Sequence, residues 1–91
     1  MKKAEETKLK ILNAGLICWP DISTRNVGTQ CRLTHSAVLH HFPGDGVLRE
    51  AIASHAVDTG NKRVVRLLIC QDHPAIMHMQ PLERAEWFAG I

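Results

Sequence analysis

The chain has 91 residues, 45 % of them hydrophobic, and a formal net charge of +2. That length suits one small domain rather than two independent ones, and that hydrophobic fraction excludes disorder. Apolar runs such as Leu67–Cys70 fall far short of the ~18–20 residues of a membrane span. No apolar signal core follows the basic N-terminus, so no membrane association is expected.

Chains this short bury only about 60–65 % of their extended surface. The hydrophobic content exceeds what a small lone domain needs, and a core shared between two copies is one place for the excess. Seven Lys/Arg face five acids in residues 1–50, and four face four in residues 51–91. The cationic surplus therefore lies in the first half, with His35, His40 and His41. Cys18, Cys31 and Cys70 form no CxxC pair, which reads as reduced thiols in a cytoplasmic protein.

Helix is expected throughout, an all-α class. From about Ala4 to Ile17, Leu9, Leu12, Leu16 and Trp19 recur at helical spacing with Ile11 beside them, until Pro20 and Asp21 stop the helix. Thr24 is positioned to cap a second helix running to about Cys31, with Val27 and Cys31 on one face. Arg32-Leu33 makes a tight turn. Thr34 caps a third helix, His35 to Phe42, which Pro43-Gly44 ends. Asp45 is suited to cap a fourth, with Val47, Leu48, Ala51, Ile52 and His55 as its apolar set.

Gly60-Asn61 breaks that helix, and Lys62 to Gln71 forms the next. Pro81, at home in a first helical turn, opens a last helix ending near Ala89.

Two short helices joined by a tight turn form a helix-turn-helix unit. Val27, Cys31, Leu33, Val38 and Phe42 have the spacing to pack its helices together and against the first helix. The second helix of such a unit enters the DNA major groove while the first abuts the backbone. His35, Ser36, His40 and His41 make a compact polar face, and the small Ser36 and Ala37 allow close approach to base edges.

The run Thr24-Arg25-Asn26-Val27-Gly28 through Thr34-His35-Ser36-Ala37-Val38-Leu39-His40-His41-Phe42-Pro43 resembles the DNA-binding domain of the TetR family of repressors. Thr24, Val27, Leu33, Thr34, Val38, His41, Phe42 and Leu48 stand at matching positions. Ile11-Leu12-Asn13-Ala14 resembles the family's first-helix signature, and the likeness covers about residues 8–55. It implies a three-helix helix-turn-helix DNA-binding domain over residues 1–55, with helical dimerisation residues at 56–91. A homodimer would repress transcription from a palindromic double-stranded DNA operator.

The resemblance implies a phosphate contact for Thr24, beyond its cap, and for His41. It brings Arg25 to DNA, by base or phosphate. Thr34, His35, Ser36, Ala37 and His40 belong to the face that meets the groove.

Four positions depart from the family pattern. Gly28 replaces the usual Ala, Arg32 the turn's Gly, Leu39 the usual Tyr, and Asp45 a commonly basic residue. Arg32 in a left-handed turn position would cost about 1 kcal/mol, so an altered turn is an expectation. Residues 56–91 are too few to hold the family's ligand-binding domain, so no small-molecule effector is expected. A short regulator of this kind would suit a plasmid or phage circuit.

Two other readings compete. One is a non-enzymatic interaction module, antitoxin-like or an anti-repressor subunit, using the later helices. Met77, Met79, Trp87 and Phe88 would serve as its surface or as core. The other is a metal- or redox-responsive regulator through Cys31, Cys70 and the histidines. Cys31-x-x-x-His35 suggests ligands, but Cys31 falls on the core face and no second cysteine lies at zinc-site spacing. No metal, no cofactor and no enzymatic activity are therefore expected. Lys2, Lys3, Lys8 and Lys10 read either as an arm reaching DNA or as a solvated helix start.

Overall fold

A computed structural model describes residues 2–89, and every regular element among them is helical. In chain order these are α1 (Lys2–Cys18), α2 (Thr24–Cys31), α3 (His35–His41), α4 (Asp45–Thr59), α5 (Lys62–Cys70), a 3₁₀ turn at Pro74–Ile76, and α6 (Pro81–Glu86). None of the described helices is long and apolar enough to cross a membrane. The chain divides into two compact units after Ile52, inside α4.

In the first unit α1 packs on α2, and α2 on α3. The face that α1 buries is centred on Ile11, Ala14, Gly15 and Trp19, with Leu16 at its edge. Leu9, placed on that face by its spacing, is instead 49 % exposed, and Leu12 is half-buried. The 11–15–19 row is the line that meets other helices, because Gly15 admits a neighbour at van der Waals range. A Cβ there would lie 2.1 Å from Cδ1 of Ile52.

From α2 come Thr24, Val27, Gly28 and Cys31, one buried stripe at helical spacing. Val38 of α3 is fully buried, as are Leu48 and Ile52 of α4. Val47, expected in the apolar set of α4, is 49 % exposed, and His55 is half-buried. Arg49 was legible only as a charge. Its guanidinium lies 4.5 Å from the centre of the Trp19 ring and donates to the Pro20 carbonyl at 2.8 Å. It thereby fastens the α1–α2 connection to α4.

Three helices end in the same way. Arg32, Gly60 and Asp72 each adopt a left-handed conformation just past the last turn. The amides of Leu33, Asn61 and His73 reach back to the carbonyls of Gly28, Ala56 and Leu68. These are Schellman closures, which satisfy carbonyls left open at a helix end. Asn61 then accepts from the Val64 amide at 3.1 Å, so one residue closes α4 and caps α5.

In the second unit α5 packs on the 3₁₀ turn. Val64, Val65, Leu68 and Ile76 are fully buried, and Met79 nearly so. The stretch Val64–Cys70 is therefore not an uncovered apolar surface. The chain itself covers the centre of that stretch, leaving Leu67, Ile69, Trp87 and Phe88 half-buried. Leu82, at 78 %, and Met77, at 59 %, remain exposed.

Arg66 donates through Nε to the Trp87 carbonyl. Arg84 pairs with Asp72 at 3.3 Å, an exposed pair worth about 1 kcal/mol or less. The last helix is shorter than expected, stopping at Glu86, and α5 stops at Cys70, with Gln71 as its cap.

Candidate nucleic-acid interface

The candidate residues lie on the turn-linked pair α2 and α3. Ser23, not Thr24, caps α2: it has extended backbone, and its hydroxyl accepts from the Asn26 amide at 3.0 Å. The signal for this was present, since Ser stands directly before Thr and ranks above it as a cap. Thr24 is consequently the first helical residue, and its side chain is directed inward at 3 % exposure. Its hydroxyl lies 2.8 Å from Nδ1 of His35, the first residue of α3.

Asp45 also departs from its expected role. It is the first residue of α4, and its carboxylate accepts from the Thr24 amide at 2.9 Å. The first residues of α2, α3 and α4 are thus joined in a chain: Asp45 to the Thr24 backbone, and the Thr24 hydroxyl to His35. Spacing along the sequence does not indicate such a link, because 21 residues separate Asp45 from Thr24.

The turn itself keeps its left-handed residue. Arg32 sits at φ 60°, ψ 37°, in spite of its Cβ. Gly28 is the residue that had to be small. A Cβ there would lie 2.9 Å from the Leu33 carbonyl oxygen and 3.4 Å from Cγ2 of Val38. Glycine at 28 lets the turn fold back onto α2 and seats α3 closely.

Thr34 caps α3 as expected, accepting from the Ala37 amide at 3.1 Å. The helix ends at His41, with Phe42 as its cap rather than its last residue. Val38 is the buried residue of α3, so the helix is held by one apolar contact line while its opposite side faces outward. Ser36 and His40 are exposed there; His35, one turn before Val38 on the same side of the helix and bonded to Thr24, is exposed at the helix start, as are Thr34 before it and Arg25 on α2. Ala37 and His41 are half-buried, and the His41 ring meets His40 edge to face at 5.3 Å.

Of the lysines read as an arm, Lys8 and Lys10 are exposed on α1, while the side chains of Lys2 and Lys3 lie outside the described residues. No family model, no curated protein and no solved structure matches this chain.

The cysteines are spread out in environment. Cys31 is buried, its thiol 3.7 Å from the Gly28 carbonyl, and Cys70 is exposed. Burial pushes the Cys18 thiol above its ordinary value, helped by the Asp21 carboxylate and by Cys31. Among the described residues no three His, Cys, Asp or Glu side chains converge as a metal site requires. A cleft lined by Lys10, Asn13, Ala14, Ile17, Gln30 and Cys31 encloses about 260 Å³ and is open to solvent. It falls below the ~300–1,000 Å³ of most small-molecule sites.

Proposed function

We propose that the chain is a sequence-specific DNA-binding repressor with a TetR-like helix-turn-helix, acting as a homodimer on a palindromic operator. The observation that carries this reading is the asymmetry of α3. Val38 is fully buried, whereas His35, Ser36 and His40 are exposed on a helix with small residues near its start. A polar face on a short helix fixed at both ends suits reading of base edges, and exposed Arg25 on the preceding helix suits a backbone contact. His41, half-buried, would contribute to affinity more than to sequence choice.

Two-fold reading requires two recognition helices about 34 Å apart, hence two copies. Leu82 and Met77, both exposed on the second unit, are apolar surface that such a dimer would cover.

Selection of bound duplexes from a random DNA library at physiological salt tests the reading. Enrichment of an inverted repeat, with half-sites about one helical turn apart, is the expected result. Sedimentation of the same protein should give a dimer at micromolar concentration. A monomer that enriches no sequence would remove this function and raise the protein-interaction reading, for which Leu82 and Met77 would be the contact residues.

A further inference from the structure

Thr24 is 3 % exposed, and a hydroxyl so deeply buried needs an acceptor for its proton. Nδ1 of His35 lies 2.8 Å from it. If Nδ1 carried the ring proton, the hydroxyl would have to accept that bond. Its own hydrogen would then be buried with no acceptor among the described residues. The consistent assignment has Thr24 donating and Nδ1 accepting, which leaves the neutral ring protonated at Nε2.

His35 is an exposed residue, and with Nδ1 engaged by Thr24 the ring atom left for a partner is an N–H donor, Nε2. The Asp45 carboxylate holds the Thr24 amide at 2.9 Å and so fixes the residue that fixes the ring.

We propose that His35 meets DNA as a donor through Nε2–H alone, reading the N7 acceptor of a purine in the major groove, with Thr24 and Asp45 as its positioning residues. This rests on the DNA-binding reading above. Purine N7 is an acceptor that adenine and guanine share in the major groove. A single donor placed at N7 therefore does not separate the two purines. The contact works with a neutral ring, because the donor is already present.

Histidine-selective ¹⁵N labelling of the full chain, with His35 assigned through His35→Asn, tests the joint in the DNA-free protein. The expected spectrum has protonated Nε2 and bare Nδ1 at His35. Thr24→Ser retains it, and Thr24→Val converts the ring to a mixture of tautomers. Protonated Nδ1 in the wild type, or a Thr24→Val spectrum identical to wild type, overturns the assignment.

The contact is then measured on a duplex recovered from the random library. His35→Asn keeps a group at the place of Nδ1 and has none at Nε2, so Kd rises about fivefold, the low end for a lost base contact. His35→Gln carries its amide nitrogen to the place of Nε2 and loses less. Replacing the contacted purine by its 7-deaza analogue weakens wild-type binding by a similar factor and leaves His35→Asn unaffected. Equal affinity of His35→Asn and wild type, or a 7-deaza scan without effect, overturns the contact. A wild-type chain that enriches no duplex overturns the DNA-binding reading itself, while the tautomer measurement still decides the Thr24–His35 joint.

Discussion

The Leu33 amide donates to the Gly28 carbonyl at 2.8 Å, while the Leu33 carbonyl lies 2.9 Å from where a Cβ on residue 28 would stand. The turn between α2 and α3 is thus closed in both directions against a residue without a side chain. Gly28→Ala adds about 1 kcal/mol of helix propensity but forces backbone to move, and overpacking of this kind costs about 1–3 kcal/mol. A net loss of about 1 kcal/mol is expected. The complementary change, Arg32→Gly, relieves a left-handed residue at φ 60° and should stabilise by about 0.5–1 kcal/mol. Thermal unfolding of both variants measures the two signs.

Gly15 and Ile52 make a second close approach. A Cβ on residue 15 would fall 2.1 Å from Cδ1 and 2.5 Å from Cγ1 of Ile52. Gly15→Ala should therefore destabilise by about 1–3 kcal/mol. Ile52→Val removes Cδ1 and alone costs about 0.5–1.5 kcal/mol. The double variant should be more stable than the sum of the two losses, because the deleted methyl is the nearest of the atoms in the way, although Cγ1 at 2.5 Å still has to shift. Denaturant midpoints of the four proteins give the coupling, and strict additivity would contradict this packing.

Arg25 is exposed on the helix proposed to lie along the DNA backbone. Wild-type affinity should fall with salt at a log–log slope near −0.9 per phosphate neutralised. Arg25→Ala should make that slope shallower by about one unit and weaken binding to selected and random duplexes alike. A loss confined to the selected duplex would move Arg25 from phosphate to base contact.

The three thiols should react in an order set by burial. Cys70, exposed, should be alkylated first, and buried Cys31 only on unfolding. Cys18 should lag behind Cys70 at neutral pH, because its thiol holds its proton above the ordinary value and the thiolate is the nucleophile. The linkage has a definite sign. The folded chain binds this proton more tightly than the unfolded chain, so the contribution is fully present below pH 9.0, the ordinary value, and is lost as pH rises through the higher folded value. Mass spectrometry of peptides alkylated across pH 7–10 separates the three sites.

Local chemistry along the chain determined much of the helical organisation. Pro20, the Arg32-Leu33 turn, Pro43-Gly44, Gly60-Asn61 and Pro81 mark where helices stop or start, because each acts through its own backbone within one or two residues. The Thr34 cap and the burial of Val27, Cys31, Val38 and Leu48 come equally from short-range spacing. What tertiary structure alone decided concerns residues with two compatible local roles. Thr24 and Asp45 are both good caps by type, yet neither caps its helix. Ser23 takes one cap, and the Asp45 carboxylate is drawn to an amide 21 residues away.

Spacing placed Leu9 and Val47 on apolar faces, but both are 49 % exposed because α1 and α4 turn their glycine and isoleucine row inward. A helical period specifies a face only to within a side chain's width. Which edge of that face is covered depends on where a neighbouring helix can approach, and here Gly15 and Gly28 decided that.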